Sequence, residues 1–190
     1  MTTLYTIGHS NHEISKFINL LKNHDIRQLV DVRSAPYSRF NPHFNREKMR
    51  GELRLHGIEY FYIGQYLGGR PADPSCYKHQ FIPREVKNYL HEVDYLKIMK
   101  QSFFLQGIQQ LTALADQTPT AIMCSEENPA KCHRHHLIAE YFLANHPDYS
   151  IFHIRGNGDA EDARSIAGPG KTETEEQPPL FSLKQTQEPL

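Results

Sequence analysis

The stretch Cys124-Ser125-Glu126-Glu127-Asn128-Pro129-Ala130-Lys131-Cys132-His133-Arg134 brings two thiols, an imidazole, a guanidinium and two carboxylates together in one short run. It follows the β-prone run Thr120 to Met123 and leads into a helical pattern. A strand-to-helix loop of this kind aims backbone N–H groups at the carboxyl edge of a sheet and makes an anion site, with Arg134 available for bidentate contact. The dipole there would stabilise a thiolate. This makes Cys124 a candidate nucleophile or redox thiol and Glu126 a candidate acid–base group. Free cysteine is also often buried and inert, with Cys124 then a strand-end residue and Cys132 a helix-start filler. Metal binding is a weaker alternative, through Cys124, Cys132, His133 and His9. Seven residues separate the two cysteines, wider than the spacing of compact zinc sites.

Further charge lies elsewhere in the chain. Gly8-His9-Ser10 offers an exposed imidazole between a strand end and a helix start. In Asp31-Val32-Arg33 the period of two places Asp31 and Arg33 on the same side of a strand. Arg33, Arg39 and Arg70 together would clamp phosphate or carboxylate, with His9 as acid or base and Asp31 orienting it. The competing assignment for Asp31 and Arg33 is an internal ion pair. Tyr37, Phe40, Phe44, Tyr60, Phe61, Tyr62 and Tyr66, interleaved with Arg39, Arg46 and Arg70, offer surfaces for base stacking. Such aromatics more often pack a core or a rim.

The elements that must position these groups alternate. Leu4 to Ile7 reads as a strand ending at Gly8. Ser10-x-x-Glu13 has capping-box spacing ahead of Ile14, Phe17, Ile18 and Leu21, the stripe of an amphipathic helix. Leu29 to Val32 is a second strand, Met49 and Leu53 mark a second helix closing at Gly57, and Ile58 to Ile63 is a third strand. After Leu67-Gly68-Gly69-Arg70-Pro71, helical spacing recurs in Val86, Tyr89, Leu90 and Val93. It recurs again in Phe104, Ile108, Leu111 and Ala115. Thr120 to Cys124 is a buried strand, Cys132 to about Leu143 a helix and Tyr149 to Ile154 a last strand. This alternation predicts an α/β domain over residues 1–155, with a mostly parallel, Rossmann-like sheet covered by helices on both faces. Ligands of such sheets bind outside the carboxyl ends of the strands, where His9, Asp31, Arg33 and Cys124 fall.

The chain has 190 residues and 38% hydrophobic residues, with no apolar run near the ~20 that a membrane helix needs. No signal peptide is visible, and three cysteines, Cys76, Cys124 and Cys132, suit a reducing setting, so a cytoplasmic location is expected. Residues 156–190 carry a balance of −4, leaving +3 on the remainder, which also holds all twelve histidines. That permits a polyanionic partner. From Gly156 the periodicity stops, and residues 156–190 read as a flexible acidic tail. Within it, Gln177-Pro178-Pro179-Leu180-Phe181 resembles the Gln-x-x-Leu-Phe peptide by which many bacterial DNA repair and replication proteins dock onto the sliding clamp. Gln177, Leu180 and Phe181 would be its anchors.

Ile7-Gly8-His9-Ser10, Asp31-Val32-Arg33, Leu67-Gly68-Gly69-Arg70-Pro71 and Met123-Cys124-Ser125-Glu126 through Cys132-His133-Arg134, taken together and in this order, resemble the domain of unknown function 488 family. Pro36 and Ser38-Arg39 fit its second motif, and Ser125 replaces an alanine often found there. The resemblance covers about residues 3–155. It implies a compact α/β domain with one shared site, so Gly8, Ser10, Gly68, Gly69, Arg70, Cys132, His133 and Arg134 are expected beside Arg33 and Arg39; it implies no settled reaction or cofactor. The reading that follows is an enzyme-like domain binding a phosphate-bearing ligand, nucleotide or nucleic acid. In it Cys124 is the reactive thiol, Arg33, Arg39 and Arg134 the anion clamp, and His9 with Asp31 or Glu126 the acid–base group. A non-catalytic adaptor recruited by its tail to a sliding clamp is the main alternative, and a thiol redox or metal sensor a third.

Overall fold

Buried apolar residues alternate along the strands and so sort onto two faces. The computed structural model describes residues 1–84 and 89–166. Its strands are β1 (Thr2–Gly8), β2 (Gln28–Asp31), β3 (Glu59–Tyr62), β4 (Thr120–Cys124), β5 (Tyr149–Ile154) and β6 (Ala160–Asp162), in the order β3-β2-β4-β1-β5-β6. All neighbours pair in parallel except β5 and β6. The helices are α1 (Ile14–Asn23), α2 (Arg46–Leu55), the single turns α3 (Gly64–Leu67) and α4 (Tyr95–Ile98), α5 (Ser102–Ala115) and α6 (Glu140–Asn145).

Leu29, Ala121 and Met123 pack with Phe17 and Leu21 of α1 and Met49 and Leu53 of α2. Val30 and Ile122 face the other way, against Phe104, Ile108 and Leu111 of α5 and Phe142 of α6. This is the expected α/β sheet with helices on both faces. The connections leaving β1 and β2 lead to one face, whereas the one leaving β4, which lies between them, leads to the other. Divergence of adjacent connections opens a crevice at the carboxyl ends of these strands, the usual ligand position in open α/β sheets. Among the described residues no helix is long and apolar enough to cross a membrane.

Four expectations are modified. Ser10 does not cap α1, whose first residue follows Glu13; the Ser10 backbone, at φ 48°, is drawn away by its N–H bond to the Ser125 carbonyl. The helical stripe from Val86 to Val93 yields a 3-10 turn at Tyr89–His91, with Val93 bridging to Tyr77; Val86 itself lies outside the described residues. The helix expected from Cys132 begins as a π-helical segment, Arg134–Ala139, all six residues of which are buried. Order also continues past residue 155: β6 hydrogen-bonds to β5, and Ala163 enters the core. Gln177, Leu180 and Phe181 lie outside the described residues.

Candidate active site

β4 ends at Cys124, and the chain then turns through Pro129–Lys131 so that Cys132 and His133 return to the same strand end. Cys124 Sγ lies 3.5 Å and Cys132 Sγ 3.8 Å from Nδ1 of His133. Nε2 of His133 lies 3.1 Å from the carbonyl of Val32, which can only accept, so Nε2 carries the ring proton and Nδ1 turns its lone pair to the sulfurs. All three side chains are buried. The hydrogen bond to Cys132, and then burial, push the Cys124 thiol up. At Cys132 burial acts the same way but is outweighed by Cys124, Arg134 and His133, which pull its thiol down.

A second buried cluster stands beside the first. The carboxylate of Asp31, fully buried, accepts from Arg33 Nε at 2.9 Å, Arg33 Nη2 at 2.6 Å, the Arg33 backbone N–H at 3.0 Å and Tyr60 Oη at 2.6 Å. Burial, reinforced by Asp31, raises the Tyr60 hydroxyl, so it stays a donor. Arg33 Nη2 also donates to the Phe44 carbonyl at 2.8 Å, and Nη1 lies 3.2 Å from Nε2 of His9. His9 Nδ1 donates to the Ser10 carbonyl, leaving Nε2 to accept from Arg33. Burial, and next the charge of Arg33, lower His9 to about 4. Asp31 and Arg33 thus form the internal ion pair weighed above, and the same pair holds the guanidinium at the edge of a cleft.

The cleft encloses about 430 Å³. Cys124, Cys132 and His133 form its floor. Arg33, Arg70 and Lys131 supply positive charge to its lining, Tyr37, Tyr89 and Tyr95 aromatic surface, and Glu126 an exposed carboxylate. Arg70 lies over the Tyr89 ring, 4.3 Å from its centroid. A Cβ at Gly69 would stand 2.7 Å from the His133 ring, so only glycine lets this loop lie on the imidazole.

A family model described as Domain of unknown function DUF488 matches residues 13–142. The chain belongs to this family. No curated protein and no solved structure gives a significant match to the chain. Within this DUF488 chain the motifs meet at one strand end, but several of their residues lie behind the cleft. Arg134, fully buried, donates from Nη1 to the Glu126 carbonyl, from Nη2 to the Glu127 carbonyl and from Nε to Thr6 Oγ1, so it braces the loop under the cleft instead of facing a ligand. Gly8 gives the loop room, since a Cβ there would collide with the Glu126 carbonyl. Ser10 and Gly68 do not line the cleft, and a Cβ on Gly68 would strike Ser34 and the Gly64 carbonyl. Arg39 is exposed and outside the lining.

Sequence reasoning missed Lys131, Tyr89, Tyr95 and the Val32 and Phe44 carbonyls, and placed Tyr60 among stacking aromatics. Tyr60 pairs with Leu29 across the β2–β3 ladder, two residues before Asp31. Strand periodicity therefore put Tyr60 on the face of Asp31, a signal available in the sequence.

Proposed function

We propose that this cleft binds a phosphate-bearing ligand, a nucleotide or a nucleic-acid segment, and that it is an enzyme site whose reacting centre is the Cys124–Cys132–His133 floor. The observation that carries this reading is the placement of Arg33, Arg70 and Lys131 around that floor. A buried, hydrogen-bonded arginine beside two outer cations suits a phosphate, which takes fork-shaped contact from arginine and point charge from lysine. Tyr37, 60% exposed, and the Arg70–Tyr89 stack supply π-faces for a base. Glu126 is the acid–base group within reach of such a ligand. His9 and Asp31 are positioning residues acting through Arg33.

The test is titration of the full chain with a nucleoside diphosphate and with a labelled oligonucleotide at two salt concentrations. The triple variant Arg33→Ala, Arg70→Ala, Lys131→Ala is expected to lose at least about tenfold in affinity and part of the salt dependence. Equal binding by the triple variant and the wild type would overturn the reading. A second reading, recruitment to a sliding clamp, rests on Gln177-Pro178-Pro179-Leu180-Phe181 and is compatible with the first.

A further inference from the structure

The floor of the cleft points three soft donor atoms at one spot. Nδ1 of His133 has a single lone pair, yet two sulfurs lie 3.5 and 3.8 Å from it, and all three atoms are within 4.8 Å of one another. Tetrahedral zinc with Zn–S of about 2.3 Å and Zn–N of about 2.05 Å sets sulfur and nitrogen about 3.6 Å apart, which is the spacing found here.

The surroundings are those of a metal site. A ligating histidine characteristically donates its other ring N–H to a carbonyl or carboxylate, and Nε2 of His133 does so to Val32. Gly69 lies against the same ring and holds its orientation. Two thiolates and an imidazole favour zinc over magnesium or calcium, which take oxygen. The separation of Cys124 and Cys132 in sequence does not count against this, because the turn at Pro129–Lys131 folds the loop back and brings the two sulfurs together.

We infer that Cys124, Cys132 and His133 bind one zinc ion, with the fourth position open to the cleft. Three protein ligands and an open side are the pattern of catalytic rather than structural zinc. Binding exchanges two thiol protons, released to solvent, for the ion, giving a neutral centre of Zn²⁺, two thiolates and neutral imidazole with water as fourth ligand. Both cysteines are then ligands and not nucleophiles, and the cationic lining holds a phosphate-bearing ligand beside a Lewis-acidic ion. Only this last clause rests on the function proposed above. A second group of donors, His135, His136 and Glu140, lies outside the cleft lining and serves as an internal control.

The experiment uses the full chain, purified under reducing conditions, and measures zinc by elemental analysis. It then follows Co²⁺ titration of the metal-stripped chain by absorption. About one zinc per chain is expected, with a thiolate-to-cobalt charge-transfer band and the visible bands of a tetrahedral ion. The double variant Cys124→Ser, Cys132→Ser is expected to lose zinc and both spectral features. The wild-type cobalt spectrum reads thiolate coordination directly, so it decides the matter even if a variant folds poorly. Absence of the charge-transfer band in the wild type, or zinc retained in full by the double variant, would overturn the inference. The anion titrations above fail or succeed separately, because they turn on Arg33, Arg70 and Lys131.

Discussion

Tyr60 Oη and Arg33 Nη2 both donate to Oδ2 of Asp31, each at 2.6 Å. One carboxylate oxygen therefore ties β3 to β2 and fixes the arginine that reaches the cleft. Removing one partner of such a pair leaves a buried charge uncompensated, a loss of about 3–5 kcal/mol. Asp31→Asn is expected to destabilise the domain by this order in denaturant unfolding. Tyr60→Phe, which leaves the ion pair whole, should cost about 1.5–3 kcal/mol. Equal losses in the two variants would contradict the assigned hierarchy.

Gly8 stands where β1 passes under the loop after β4. Ala in its place collides with the Glu126 carbonyl, and the obstructing atom is backbone that Arg134 holds from below. Gly8→Ala should therefore cost more than the roughly 1 kcal/mol of an average point substitution and also weaken anion binding. A variant with unchanged melting temperature and unchanged affinity would show that the loop yields freely.

His153 sits in a chain of contacts running from Arg134 to Thr6 Oγ1, then to His153 Nδ1 at 2.7 Å, and from His153 Nε2 to His135 Nδ1 at 3.0 Å. Burial, and then Arg134, pull His153 down to about 3. The unfolded chain takes up this proton near pH 6.5 while the folded chain refuses it. Stability from neutral His153 is thus complete above pH 6.5 and is lost as pH falls from there toward 3. The slope for this one group is about 1.4 kcal/mol per pH unit. Denaturation midpoints should hold from pH 7.5 to about 6.5 and then fall toward 4.5, with His9 and His135, both also lowered to about 4 by burial, adding to the fall, and His153→Asn should make it shallower. An identical pH dependence in the variant would remove His153 as the cause.

Deletion of residues 175–190 is expected to abolish any affinity for a bacterial sliding clamp while leaving nucleotide binding by the cleft intact. Surface plasmon resonance with purified clamp reads the first and isothermal titration the second. Clamp binding that survives the deletion, or is absent from the full chain, would sink the tail's proposed role.

Much of this arrangement was legible in the sequence. The β4 run and the α5 stripe declared their environment through a nearly unbroken apolar run and helical spacing. Strand alternation put Asp31 and Arg33 together, and the rule for open sheets put Cys124 near His9. The inward turn of Arg134 was not legible, because it depends on where the Glu126 and Glu127 carbonyls come to lie. Neither was the approach of Cys132 to Cys124, set by the turn at Pro129–Lys131. Thr6 and His153 meet through the β1–β5 ladder, a partnership of distant residues that no local pattern records. Gly8 and Gly69 carried a partial signal: their role is steric, and only the neighbour each one admits was hidden.

The short strand β6 has a consequence for how the protein behaves in company. It pairs with β5 along Phe152, His153 and Ile154 and presents Glu161 and Asp162, half-buried, at that border of the sheet. A brief, acidic border strand discourages other chains from adding on. A chain ended at residue 155, where the periodicity stops, would leave the six-residue strand Tyr149–Ile154, with Ile151, Phe152 and Ile154, as an open template for self-association. The eleven residues that look like the beginning of a tail act as a guard against aggregation.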